Sequence, residues 1–145
     1  MGLNYLDIWG FLMKKVTIDK QKAIALNKTA FKTIERINET DIEKYAANVL
    51  KDYYDAIHEL LESITCLDGI KISGKGAHEK LINYISKTYK LDESNKIFLQ
   101  ELRNYRNRIS YEGLSIESDY IIRNKNKINF IIESLKKIIN TKLSL

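Results

Sequence analysis

One continuous apolar stripe limits what this chain can fold into more than any other feature of its sequence. Between residues 42 and 64, apolar side chains follow one another at steps of three or four, which places them on one face of an α-helix. This is the best-patterned helix that the sequence predicts. The stripe consists of Ile42, Ala46, Val49, Tyr53, Ile57, Leu60 and Ile64.

The ends of this helix are also marked in the sequence. Thr40 and Glu43 have the spacing of a capping box, which predicts Thr40 as the N-cap residue and Glu43 at the third helical position. Asp68 followed by Gly69 predicts the end, because glycine adopts the left-handed conformation that commonly follows a helix.

Four further helices follow from the same period. They are predicted at about Ile18–Asn38 with Thr17 as N-cap, at about Ala77–Tyr89, from near Ser94 to Glu112 with Gly113 ending it, and after Ser115 as N-cap. The residues predicted to face inward on these helices share the helical spacing. They are Ile24, Phe31 and Ile34; Leu81, Tyr84, Ile85 and Thr88; Phe98, Leu102, Tyr105 and Ile109; and Ile121, Ile128, Ile131, Leu135 and Ile138.

Little in the composition interrupts these helices. The chain has 145 residues, no proline and six glycines, and it shows no alternating strand pattern bounded by turn residues. The one glycine-rich segment, Ile70–Gly76, is predicted to be a loop. Short connections between helices make neighbours antiparallel, so we expect an all-α, up-and-down bundle of about five helices over residues 17–145.

Residues 1–16 form an apolar extension outside that bundle, with Tyr5, Ile8, Trp9, Phe11 and Leu12 in it. Such a density of aromatic residues needs a cover. Two alternatives stay open: a small extra helix on the bundle, or part of a dimer interface. The longest apolar run is too short to span a bilayer, and a single cysteine fits a reducing cytoplasm, so we expect a cytoplasmic protein without membrane attachment.

The positive charge is concentrated near the carboxyl end. Residues 96–145 contain ten lysines and arginines against five acids, whereas residues 1–95 contain 14 of each. Within this basic third, Arg103, Arg106, Asn107 and Ser110 are spaced by three and four, which predicts one polar face on the fourth helix. Arginines grouped in this way are suited to holding a phosphate or a nucleotide. The alternative is a set of ion pairs with acids on neighbouring helices or across a dimer interface.

The string from Arg106 to Gly113, RNRISYEG, together with DYYDAIH from Asp52 to His58, resembles the HEPN superfamily of small helical domains. The order of elements agrees as well: a long second helix with a tyrosine pair, a glycine loop, a short helix and then the arginine helix. The resemblance covers about residues 18–142. It implies a HEPN-like bundle that forms homodimers, and such domains are often encoded beside a nucleotidyltransferase.

Active members of that family are metal-independent endoribonucleases, many of them toxins, whose motifs meet in a cleft on the dimer axis. By position, Arg106 matches the motif arginine and Asn107 the polar residue after it. Tyr111 stands where the motif has histidine. Tyrosine titrates near pH 10 and is therefore a poor proton acceptor at neutral pH. Tyr111 is still suited to donating a hydrogen bond or stacking on a base.

The two histidines and the cysteine do not predict a metal site. His58 lies near Asp55, Glu59 and Glu62 on the second helix, but no matching Glu-x-x-His occurs on another helix. We therefore expect His58 to lie on a polar face, His78 and Cys66 to be structural, and no cofactor or metal to be bound.

The sequence thus favours a HEPN-like protein that binds RNA, a nucleotide or a partner protein in an arginine-lined dimer cleft. The binding residues expected are Arg103, Arg106, Asn107, Ser110 and Tyr111. One alternative is an endoribonuclease toxin of a toxin–antitoxin pair, with Arg106, Asn107 and Tyr111 as catalytic candidates. Another is a structural adaptor for a nucleotidyltransferase antitoxin.

Overall fold

The computed structural model describes residues 4–6 and 12–144 of the chain, with side chains from residue 13 onward. Five helices and three short strands make up this part. In chain order they are β1 (Asn4–Leu6), β2 (Leu12–Lys15), α1 (Lys20–Asn38), α2 (Ile42–Asp68), β3 (Ile70–Ser73), α3 (Ala77–Thr88), α4 (Glu93–Glu112) and α5 (Ser118–Leu143). The predicted all-α bundle of five helices is confirmed.

The helix α2 is the centre of the bundle and contacts each of the other four helices. Its predicted stripe is buried, apart from Ile42, which is half-buried at the start of the helix. Additional buried residues such as Leu50, Tyr54 and Leu61 widen the apolar face, so that partners can pack on several sides. Gly69 ends α2 with a φ of 68°, as the sequence predicts.

The start of α1 differs from the prediction of Thr17 as N-cap. Asp19 caps this helix, and its carboxylate accepts a hydrogen bond from the backbone N–H of Lys22 at 2.9 Å. The preceding backbone is held to the end of α2, since the N–H of Val16 donates to the carbonyl of Gly69 at 2.9 Å. Thr17 therefore lies two residues before the N-cap, and the helix begins at Lys20.

Two other predicted N-cap residues, Thr40 and Ser115, are also wrong. Asp41, not Thr40, caps α2 by accepting from the N–H of Glu43 at 3.0 Å. The Thr40 hydroxyl instead donates to the carbonyl of Arg36 at 2.8 Å, so it completes the end of α1. Likewise α5 begins after Glu117 rather than after Ser115, because the chain is still extended at Glu117, with a ψ of 147°.

The segment predicted as the loop Ile70–Gly76 contains a strand, which the sequence reading missed. β3 pairs antiparallel with β2, and β2 pairs antiparallel with β1, which gives a small three-stranded sheet. The described parts of residues 1–16 are therefore strands and not a small extra helix. Ile8, Trp9 and Phe11 lie outside the described residues, and so do the side chains of Tyr5 and Leu12.

Most of the predicted inward positions are buried or packed against the core, with two exceptions. Ile24 is 45% exposed because the buried face of α1 consists of Ala23, Ala30 and Ile37. Thr88 is exposed at the last turn of α3, where Ser86 is buried instead. Both errors are shifts of one or two positions around the helix.

A polar network closes the end of the bundle where α2 stops. The Asp68 carboxylate accepts hydrogen bonds from the hydroxyls of Tyr84 at 3.0 Å and Tyr89 at 2.6 Å. It also pairs with the ammonium group of Lys142 on α5 at 2.5 Å. This network ties α3, α5 and the chain after α3 to the end of α2. In the described part of the chain, no helix is both long and apolar enough to cross a membrane.

Candidate functional site

The polar side of α2 carries one of the two histidines of the chain in an ion pair. His58 is 16% exposed, and its Nε2 lies 2.6 Å from Oε1 of Glu62, one helical turn further along. This spacing of four residues is the one at which side chains on a helix meet. The pair fixes the imidazole of His58 against the helix surface.

The second histidine, His78, lies in the first turn of α3. The rings of His78 and His58 stack with their centroids 4.0 Å apart and an interplanar angle of 16°. Nδ1 of His78 also lies 3.3 Å from the hydroxyl of Tyr54, which is buried on α2. The chain reaches this position because β3 and the left-handed glycines after it bring it back against α2. The structure therefore places both histidines and Tyr54 in one cluster.

Two arginines of α4, Arg103 and Arg106, lie beside this cluster. Nε of Arg106 donates to Oδ1 of Asp55 on α2 at 3.2 Å. Nε of Arg103 donates to Oε1 of Gln100 at 2.9 Å, and Nη2 of Arg103 lies 3.9 Å from a carboxylate oxygen of Glu79 on α3. The two side chains are 26% and 19% exposed. Through these contacts the two arginines reach α2 and α3, and we call the region of Arg103, Arg106, Asp55 and Glu79 the arginine surface.

Gln100 holds the side chain of Arg103 in place. While its carbonyl oxygen accepts from Arg103, its Nε2 donates to the carbonyl of Glu79 and to Oδ1 of Asn83, each at 3.1 Å. Both of these partners lie on α3. The guanidinium of Arg103 is therefore positioned before any ligand binds.

Burial and neighbouring charges shift the pKa values of four groups in this site. Partial burial lowers the pKa of His78, and the charges of His58, Arg106 and Arg103 lower it further. Burial raises the pKa of Tyr54 to about 12, although the two arginines oppose this change. The hydrogen bond from His58 lowers the pKa of Glu62, whereas burial and neighbouring carboxylates raise that of Glu59. At neutral pH the site therefore contains a neutral His78 and a neutral Tyr54 hydroxyl.

One buried polar atom of the site has no partner. Nδ1 of His58 is buried, and no atom of the described residues forms a hydrogen bond with it. Such an atom costs free energy unless a partner is supplied, and unpaired polar groups of this kind are uncommon in folded proteins. A ligand or a water molecule that entered the site would remove this cost.

A cavity of about 530 Å³ lies next to the histidine pair. Both histidines line it, together with residues at the start of α1, at the end of α2 and on β3. The volume is within the usual range of small-molecule sites, about 300–1,000 Å³. Within residues 4–6 and 12–144, no three His, Cys, Asp or Glu residues are arranged to hold a metal ion.

The structure brings together only some of the binding residues predicted from the sequence. Arg103 and Arg106 lie close to the histidine cluster, and Asn107 is half-buried next to them on α4. Ser110 is exposed, and Tyr111 is 81% exposed at the end of the helix. The sequence reading missed Tyr54, His58 and His78 as members of the site. The spacing of Tyr54, His58 and Glu62 carried a signal, but nothing in the sequence placed His78 beside them.

A comparison with models of known protein families found no match to this chain, and a comparison with curated proteins found none either.

Proposed function

We propose that this chain is a HEPN-like RNA-binding protein in which Arg103 and Arg106 hold phosphate groups of the RNA. The observation that carries the proposal is that these two arginines lie beside the stacked pair of His58 and His78, close enough for their charges to act on His78. Guanidinium groups form bidentate, charge-assisted hydrogen bonds with phosphate. Imidazole rings stack on unpaired bases and form hydrogen bonds with their edges.

The ion pairs of the arginines leave them able to bind phosphate. Arg106 makes a one-point contact with Asp55 at 3.2 Å, and the contact of Arg103 with Glu79 is 3.9 Å long. Neither has the two parallel hydrogen bonds of a bidentate ion pair. Partly exposed pairs of this kind contribute about 0–1 kcal/mol. A phosphate group can therefore replace or share these carboxylate contacts at small cost.

The proposed assembly is a homodimer, as the family resemblance implies. Ser110 and Tyr111 are exposed at the end of α4. A second copy packed against this end of α4 would cover the exposed tyrosine ring, which is a favoured interface residue. Sedimentation equilibrium tests this part: we expect a dimer that Tyr111→Glu weakens, and a monomer for the unaltered chain would contradict it.

An endoribonuclease is the second candidate, and the position of His78 favours it. Cleavage by attack of a 2′-hydroxyl group needs a proton acceptor near neutral pH, and the arginine motif itself lacks a histidine. When His78 carries its proton on Nδ1 and donates it to Tyr54, Nε2 has a free lone pair. Cleavage of purified RNA that both Arg106→Ala and His78→Gln abolish would support this candidate. Cleavage that survives Arg106→Ala would belong to a contaminant.

Fluorescence anisotropy with a labelled single-stranded RNA tests the proposed function. We expect Arg106→Ala to weaken binding by about tenfold or more, because a charge-assisted hydrogen bond contributes about 1.5–3 kcal/mol. The matched control is Arg123→Ala. Arg123 is an exposed arginine on α5 that pairs with Asp119, so its removal changes the net charge by the same amount outside the arginine surface.

Salt dependence and the control separate specific binding from general attraction. We expect the affinity to fall with rising salt as it does for a few phosphate contacts. An equal loss for Arg123→Ala would show that net charge alone drives binding. If no RNA binds at low salt, the proposed function is wrong, and the alternative of a structural adaptor for a nucleotidyltransferase gains support.

A further inference from the structure

The cavity beside the histidine pair and the arginine surface lie along one strip of α2. Asp55, His58, Glu62 and Cys66 follow one another at steps of three or four and so share one side of the helix. Asp55 contacts Arg106 at one end of the strip, while Glu62 and Cys66 line the cavity at the other. Eleven residues at 1.5 Å each separate these ends by about 16 Å. The strip is therefore long enough for more than one nucleotide.

The histidine pair lies between these two ends. His58 and His78 both line the cavity, and the charges of both arginines act on His78. The unpartnered Nδ1 belongs to the His58 ring of this stacked pair. A ligand that lay along the strip would pass the stacked rings and could supply the missing hydrogen bond.

The cavity contains both acids and cations, unlike a site made only for phosphate. Asp19 caps α1 and Glu62 pairs with His58, so both carboxylates are engaged but retain further acceptor positions. Lys22 and Lys71 also line the cavity, and neither forms an ion pair within the described part of the chain. A nucleobase has both donors and acceptors on its edge, and acids and lysines each recognise such groups.

We infer that this cavity receives an unpaired nucleotide of an RNA whose phosphates are held by Arg103 and Arg106, so that the ligand is single-stranded. The inference rests on the proposed function and specifies its substrate class. Bases inside an A-form duplex are stacked and paired, and its major groove is too narrow for side chains to read. Only a nucleotide that has left the stack can enter a cavity between α1, α2, β3 and α3.

Cys66 provides a direct test of occupancy. It is the only cysteine in the sequence and lines the cavity, so the rate of its reaction with a thiol reagent such as DTNB reports on this place alone. We expect a saturating single-stranded oligonucleotide to slow the reaction several-fold. The same oligonucleotide annealed to its complement should protect less and bind more weakly.

Lys71→Ala separates the cavity from the arginines. It should reduce both the affinity for single-stranded RNA and the protection of Cys66. The dependence of the binding constant on salt concentration should also weaken, by the amount expected for the loss of about one phosphate contact. The matched control is Lys125→Ala on α5, another exposed lysine, which should change neither. The unfolding curves of both variants should match that of the unaltered chain.

The outcomes distinguish this inference from the proposed function. If Cys66 reacts at the same rate with saturating RNA while Arg106→Ala still weakens binding, the cavity is not part of the RNA site, and the proposed function stands. Equal protection by duplex RNA, or protection by a mononucleotide as strong as by the oligonucleotide, overturns the single-strand assignment. If no RNA binds under any condition, both proposals fail.

Discussion

Two ionisable clusters lie along α2, one around Asp68 at its end and one around His58 nearer its middle. They differ in how completely their polar atoms are paired. At the end of α2, Asp68 is 10% exposed and is bound by two tyrosine hydroxyls and by Lys142. Nearer the middle, His58 has an unpartnered Nδ1, and the contact between Arg103 and Glu79 is 3.9 Å long.

The difference separates a network that stabilises the fold from a cluster that keeps unpaired polar atoms. A buried carboxylate stabilises a fold when its hydrogen-bonding capacity is filled, and it is costly when a partner is removed. A cluster that leaves donors and acceptors available contributes less to stability but can offer them to a ligand. We therefore attribute stability to the Asp68 network, and we place the proposed ligand binding at the cluster of His58, His78, Arg103 and Arg106.

The largest expected effect concerns the Asp68 network, in which the carboxylate has three partners. Asp68→Ala leaves Tyr84, Tyr89 and Lys142 without their acceptor, so we expect the free energy of unfolding to fall by about 3 kcal/mol. Urea unfolding measures this change. The control is Asp119→Ala, because its exposed pair with Arg123 should contribute less than about 1 kcal/mol. Equal losses for the two variants would remove the distinction between the clusters.

A smaller effect is expected from the protonation of His78. Its pKa in the folded state lies below the ordinary value of 6.5, so the unfolded chain binds more protons as the pH falls through that value. The contribution of His78 to stability should therefore be present above pH 6.5 and should be lost on acidification, with a slope below about 1.4 kcal/mol per pH unit because one histidine takes up at most one proton.

Urea unfolding at pH 7.5 and pH 5.5 measures this dependence, with His78→Gln as the comparison. The variant should lose part of the difference between the two pH values. The pKa of Glu62 is lowered from its ordinary value of 4.5. Its effect on stability therefore falls below that pH and does not contribute to the difference between pH 7.5 and pH 5.5. A variant with the same pH dependence as the unaltered chain would show that His78 titrates normally.

The smallest expected effect on stability is that of Arg106→Ala. Its one-point contact with Asp55 is partly exposed, so we expect a loss of less than about 1 kcal/mol in the free energy of unfolding. The same substitution should weaken RNA binding strongly, as proposed above. A loss comparable to that of Asp68→Ala would mean that Arg106 is a structural residue.

The helices were predictable because their signals are local. A spacing of three to four residues and the glycines at positions 69 and 113 are visible in the sequence, and both glycines end helices with a φ of 68°. The caps were less predictable, because Thr40 and Asp41 are both suitable residues and only the end of the preceding helix decides between them. The sheet was missed because β3 has four residues and pairs with a distant part of the chain.

The site was predictable only where one helix supplies it. Arg103 and Arg106 share α4, and their spacing placed them together. His78 joins the site through packing between α2 and α3, and its partner His58 is 20 positions away in the sequence. No periodicity connects residues on different helices, so the stacking of the two rings required the structure.

The pKa of His78, measured by NMR with and without RNA, shows whether RNA binds beside the histidine pair. The chain has two histidines, so His58→Gln suffices to assign their signals. A phosphate bound by Arg103 and Arg106 would place negative charge beside the imidazole of His78, so we expect its pKa to rise when RNA binds. A pKa that stays unchanged while anisotropy shows saturation would mean that the RNA binds elsewhere and that the two arginines do not hold its phosphates.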